Sequence, residues 1–167
     1  LKMYDFIEFA FFNIVAFIYS VTMIMIVPFV SVYTRNADIN YIYPIFAVIF
    51  VYTSAFYILK IPSNALINIS GNFKETRWRA ILEAALTLGL SIILTKLLGI
   101  NGVVLGTGIA LAWRCLDTIV YSNKNILLCK NKKSLLRLIR VLVILSITAF
   151  FSLKMPINIT NFFAWIK

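Results

Sequence analysis

The sequence predicts an all-α integral membrane protein, a multi-pass helical bundle, and three observations lead there. Apolar residues come in five blocks, Phe6 to Tyr33, Tyr41 to Ile69, Ala80 to Leu98, Gly102 to Tyr121 and Leu138 to Leu153. Each is close to the ~20 residues a helix needs to cross a hydrocarbon core about 30 Å thick. The chain is 62% hydrophobic and 13% charged, unlike the composition of a soluble domain. Its lysines and arginines gather between the blocks. In lipid only helices and closed barrels satisfy every backbone group, and the alternation of a barrel strand, ~10 residues long, fits none of these blocks.

The first block follows an acidic flank, Asp5 and Glu8, and has no small-residue cleavage site, so it reads as a span and not as a signal peptide. Pro28 lies near its far end. The second block carries Thr53, Lys60, Asn64 and Asn68 near one face, with Pro62 in its last third. Proline lacks a backbone donor and crowds the preceding turn, so a kink is expected beside Lys60. In the third block Glu83, Thr87, Ser91 and Thr95 recur every four residues, a polar line on an apolar helix. The hydroxyls of such a line commonly bond back to their own helix, and Arg79, one turn before Glu83, offers that acid a local partner.

The fourth block follows Gly99-Ile-Asn-Gly102, read as a tight hairpin turn, and shows two faces. Gly102, Gly106 and Ala110 form the small-residue pattern that allows close helix approach. Thr107, Arg114, Thr118 and Tyr121 fall on another stripe and suggest contact with water. Asp117, three residues from Arg114, provides an internal ion-pair partner. A charge inside a span costs about 2.5 to 3.5 kcal/mol on the insertion scale, so Lys60 and Arg114 each require a partner, a cavity or a route to the surface. After the fifth block a run from about 161 is too short to span and reads as a truncated sixth crossing. With Leu1 at the start, the expectation is a segment of a longer chain, 1–167 being a carboxy-terminal membrane region.

The formal net charge of +10 sorts by side. Ser70 to Arg79 holds Lys74, Arg77 and Arg79, and Ser122 to Arg140 holds Lys124, Lys130, Lys132, Lys133, Arg137 and Arg140, whereas the alternate connections carry Arg35, Lys96 and Lys154. The positive-inside bias puts the two basic connections in the cytoplasm. The charge is thus a matter of topology, and no nucleic-acid partner is expected. With no histidine there is no Ser-His-Asp triad, and two cysteines, Cys115 and Cys129, offer no zinc spacing. No G-x-x-x-x-G-K-[ST] phosphate loop is present. Neither enzymatic activity nor a metal or cofactor is expected.

The run from Pro62 to Arg77, then Ile81-Leu-Glu83-Ala, then Gly99 to Thr107, resembles the carboxy-terminal half of bacterial polysaccharide flippases. These belong to the multidrug, oligosaccharidyl-lipid and polysaccharide exporter superfamily. Val27 to Thr34, with Asp38 and Tyr41 after it, is similar to that family's outward-running helix and external loop, and the matching pieces cover about Phe6 to Leu127. The resemblance implies one lobe of a two-lobed, MATE-like exporter fold with a central cavity between the lobes. It implies translocation of undecaprenyl-pyrophosphate-linked oligosaccharide repeat units across the bacterial cytoplasmic membrane by alternating access. Lys60 and Arg114 match basic positions of the family, which makes Lys60, Asn64 and Arg114 candidates for the substrate cavity. Glu83 and Asp117 are candidates for ion coupling or charge pairing, Pro62 for a helix kink, and Gly102, Gly106 and Ala110 for helix packing. The implied partners are the lipid-linked oligosaccharide, membrane lipids and other polysaccharide-assembly proteins. Three rival readings stay open: a drug or small-molecule exporter of the same superfamily, a membrane-embedded polysaccharide-assembly enzyme, and a passive assembly subunit in which Lys60 and Arg114 face each other or their carboxylates with no water-filled cavity.

Overall fold

The computed structural model describes residues 2–33, 44–129 and 131–154. Among these residues the chain forms helices α1 (Lys2–Tyr33), α2 (Pro44–Leu59), α3 (Ile61–Ile69), α4 (Phe73–Leu98) and α5 (Ile100–Tyr121), a π-helical turn (Ser122–Ile126), and helix α6 (Lys132–Lys154). Among the described residues five segments are long and apolar enough to cross a membrane: Lys2–Val30, Pro44–Ile69, Thr76–Leu98, Ile100–Ile126 and Lys132–Lys154. The protein is a multi-pass helical bundle. The first connection, with Arg35, Asp38 and Tyr41, and the short run from 161 lie outside the described residues, as does Lys130.

The helices run further than the apolar blocks do. Helix α4 starts at Phe73, so Lys74, Arg77 and Arg79 ride on its first turns, and α6 starts at Lys132, which puts Lys133, Arg137 and Arg140 on a helix. Both segments read as basic loops in the sequence. Hydropathy marks where lipid ends, but a helix continues beyond that boundary, since its backbone bonds are satisfied whatever the side chains and long cationic stems reach along it toward water. The hairpin is also tighter than the expected turn. Gly99 alone separates α4 from α5, at φ 60 and ψ −138, a conformation that favours glycine. Its N–H donates to the Thr95 carbonyl at 2.9 Å, and the Gly102 N–H donates to the Gly99 carbonyl at 3.0 Å.

The core is shared by α1, α2, α5 and α6. Phe12, Val15 and Ala16 meet Ala55, Leu59, Cys115 and Ile119, closed from the other side by Leu138, Val141 and Leu145. Met23, Val51 and Ala149 form a second cluster. Outside this core the bundle is apolar as well: Phe17, Ile45, Leu88, Ile92, Leu97 and Phe150 are all exposed. Such a surface suits a solvent of acyl chains.

Helix α4 stands apart, because 0% of its most apolar window is buried. It packs on α5 through backbone. A Cβ built on Gly106 would lie 2.6 Å from the Ser91 N and 2.8 Å from the Leu90 carbonyl carbon, and one on Gly102 would overlap the Leu94 carbonyl. Ala110, on the same face of α5, is fully buried. Gly89, on α4, has nothing within 4 Å of its Cβ position. Two alanine substitutions therefore separate packing from helix propensity. Gly106→Ala is expected to cost about 1–3 kcal/mol by overpacking, whereas Gly89→Ala is expected to gain up to about 1 kcal/mol. Thermal unfolding of the purified protein checks this, and equal midpoints for the two variants would remove the close-packing account.

Candidate functional site

Helix α2 ends at Leu59 and α3 begins at Ile61, with Lys60 at the join in a helical conformation (φ −76, ψ −15). Pro62 is the second residue of α3 and has no N–H, so the Ile58 carbonyl loses its usual donor where α2 gives way to α3. Lys60 is buried, 8% exposed, and does not reach out to the surface. Its ammonium donates to Glu83 Oε1 on α4 at 2.6 Å and sits 4.9 Å from the centre of the Tyr57 ring.

Glu83 is the meeting point. Arg114 Nε of α5 lies 3.2 Å from its other oxygen, Oε2, within ion-pair range though not aligned as a hydrogen bond. Arg114 Nη1 donates to Asp117 Oδ2 at 3.1 Å. Arg79 Nη1, from the first turns of α4, donates to Asp117 Oδ1, and its guanidinium lies 4.7 Å from the centre of the Tyr121 ring. Lys60, Glu83, Arg114, Asp117 and Arg79 thus form one continuous chain of charges across three spans. Three cations face two carboxylates, and one positive charge is left over. Asn64 is half-buried one turn past Lys60; its backbone N–H donates to the Lys60 carbonyl at 3.0 Å, and its side chain is not part of the chain of charges.

Two sequence expectations are corrected here. Arg79 does not pair with Glu83 one turn away but crosses to Asp117, because the close α4–α5 approach brings that carboxylate within reach and Glu83 is already held by Lys60 and Arg114. The inner part of the polar stripe on α5 is packed against protein: Arg114, Thr118 and Tyr121 are 5%, 0% and 4% exposed, and the Thr118 hydroxyl donates to the Arg114 carbonyl at 2.7 Å. On α4 the polar line divides. Thr87 donates to the Glu83 carbonyl at 2.8 Å and Thr95 to the Ser91 carbonyl, both within their own helix. Ser91 crosses to the Val103 carbonyl of α5 at 3.3 Å.

A second charged cluster joins α1 to α6. Arg137 donates to Asp5 Oδ1 at 2.7 Å and to Glu8 Oε2 at 2.6 Å, and the Ser134 hydroxyl also reaches Glu8 Oε2 at 3.0 Å. In the sequence Asp5 and Glu8 read only as a flank, and Arg137 as one of several loop cations. The signal was there: two acids three residues apart share a helix face, and Arg137 lies deeper in its helix than the neighbouring lysines.

Among the described residues no group of three or more His, Cys, Asp or Glu side chains is placed to hold a metal ion. Comparisons with family models, with characterised proteins and with solved structures find no match to this chain.

If Glu83 holds two cations, its loss should exceed that of a hydroxyl that only bonds its own helix. Glu83→Gln removes one side of two ion pairs and is expected to cost roughly 3 kcal/mol, the scale for an uncompensated buried charge. Thr87→Ala is expected to cost under about 1 kcal/mol. Unfolding of both variants in detergent checks the order, and a Glu83→Gln variant as stable as the parent would show that the charges do not depend on it.

Proposed function

We propose that the chain supplies one lobe of an exporter that moves an anionic, lipid-linked oligosaccharide across the bacterial cytoplasmic membrane, its basic end facing the cytoplasm. The observation that carries the reading is the convergence of Lys60 and Arg114, from different spans, on the two oxygens of Glu83. A pyrophosphate presents the same kind of acceptor to the same two donors with more charge, and in a low-dielectric setting it would compete for them. Arg114, with its planar fork, suits a phosphate, and Lys60 acts as a point charge beside it. The surplus positive charge of the cluster favours an anion over the organic cations of a drug exporter. The join at Lys60 and Pro62 gives α3 a place to move relative to α2 as the ligand exchanges with Glu83. The chain would act as a carrier and not as an enzyme.

A second reading has its own support. All five charges are already paired, so the cluster would also serve as a static clamp between spans. The two readings part under mutation. In cells where surface polysaccharide depends on this exporter, Lys60→Ala and Arg114→Ala are expected to abolish export at normal protein level, with Arg114→Lys keeping part of it. The joint neutral change Lys60→Met with Glu83→Gln leaves the cluster's surplus of one positive charge unchanged but removes a ligand cation, so it too is expected to abolish export. Restored export in that double variant would overturn the substrate reading.

A further inference from the structure

At the basic end of the bundle a cavity of about 410 Å³ opens beside the Arg137 cluster, lined among others by Lys2, Asp5, Glu8, Cys129, Lys132 and Lys133. Its two acids are not equivalent. Asp5 has a half-exposed side chain and is paired with Arg137, whereas Glu8 is 2% exposed and uses only one of its oxygens. Glu8 Oε2 takes Arg137 and Ser134, and Glu8 Oε1, buried, has no hydrogen-bond partner. A buried carboxylate oxygen ordinarily has a donor. The three lysines lining the cavity are exposed, and with Arg137 they outnumber the two acids, so the site as a whole attracts an anion.

A ligand that meets both demands carries a phosphate for the lysines and an N–H donor for Glu8 Oε1. The position narrows the source. The membrane-crossing segment of α6 begins at Lys132, which lines the cavity, so the cavity lies where a bilayer's headgroups lie. Exposed Met3, Phe6, Leu136 and Ile139 continue from it along α1 and α6 as apolar surface for acyl chains. We propose that this cavity binds the headgroup of phosphatidylethanolamine, its phosphate held by Lys2, Lys132 and Lys133 and its primary ammonium donating to Glu8. Phosphatidylcholine offers the same phosphate but no N–H, and so cannot satisfy Glu8.

Cys129 is the reporter. It is exposed and lines the cavity, whereas Cys115 is buried. The protein is placed in nanodiscs of phosphatidylcholine alone or of phosphatidylcholine and phosphatidylethanolamine in equal parts, and the rate at which a water-soluble maleimide modifies Cys129 is measured. Phosphatidylethanolamine is expected to slow modification roughly tenfold, the free fraction left when ligand stands well above its Kd. The exposed double change Lys132→Gln with Lys133→Gln is expected to remove that protection. Soluble phosphoethanolamine added to phosphatidylcholine nanodiscs distinguishes the sources: no protection ties recognition to the lipid, and protection shows that the headgroup chemistry suffices. Equal rates in the two nanodiscs, or protection unchanged in the lysine variant, would overturn the proposal. Lys60, Glu83 and Arg114 do not line this cavity, so its failure leaves the export reading standing, and the reverse holds as well.

Discussion

The Glu83 carboxylate is the interaction on which the placement of α4 beside the α2–α3 segment depends. In lipid there is little hydrophobic force to bring one helix to another, since acyl chains solvate leucine as well as a neighbouring helix does. Helix α4 shows the consequence, because it contributes no member to either apolar core cluster. It is held by backbone contact at Gly102 and Gly106 of α5, by Glu83, which binds cations from α5 and from the α2–α3 join, and by the bonds of Arg79 to Asp117 and of Ser91 to Val103. The first contact fixes distance along one hairpin. The second ties α4 directly to the α2–α3 join, while α5 is seated by its own core residues Cys115 and Ile119.

Both charged clusters lie toward the same end of the bundle. Lys60, Arg79 and Asp117 come from the end where α3 finishes, α4 begins and α5 finishes, and Asp5, Glu8 and Arg137 from the end where α1 and α6 begin. This end is therefore cross-linked by ion pairs, while the other is joined through apolar contacts such as Met23 with Val51 and Ala149. Lys60, Glu83 and Arg114, roughly 10–15 Å from the ends of their helices at 1.5 Å per residue, are poorly screened. Under the proposed export reading, an anion that displaces Glu83 from Lys60 would loosen the contact between α4 and the α2–α3 join and so would couple ligand exchange to helix movement.

The apolar blocks and the small-residue face of α5 were legible in the sequence, because lipid imposes a length on each span and close approach imposes glycine at fixed spacing. The helix ends were not, since hydropathy stops at the interface and hydrogen bonding does not: α4 begins at Phe73 and α6 at Lys132, well before the apolar blocks that mark them. The candidate charges Lys60, Glu83, Arg114 and Asp117 stood out singly, each being a polar side chain in an apolar run. Their partners did not. The pairing of Arg114 with Asp117 is local and could be read from spacing, but Lys60 with Glu83 and Arg79 with Asp117 depend on which helices are neighbours, which one sequence does not state. The pairing of Arg137 with Asp5 and Glu8 was hidden for the same reason, Arg137 lying more than a hundred residues from both acids.

A double-mutant cycle on Lys60 and Glu83 tests most directly whether this carboxylate joins the α2–α3 segment to α4. Stability is measured for Lys60→Met, Glu83→Gln and the pair together. If the ion pair carries the link, the pair should lose less than the sum of the singles by about 1–3 kcal/mol, the range for residues in one charged network. Losses that add to within roughly 0.5 kcal/mol, as independent sites do, would show that the two side chains do not depend on one another and would contradict the account.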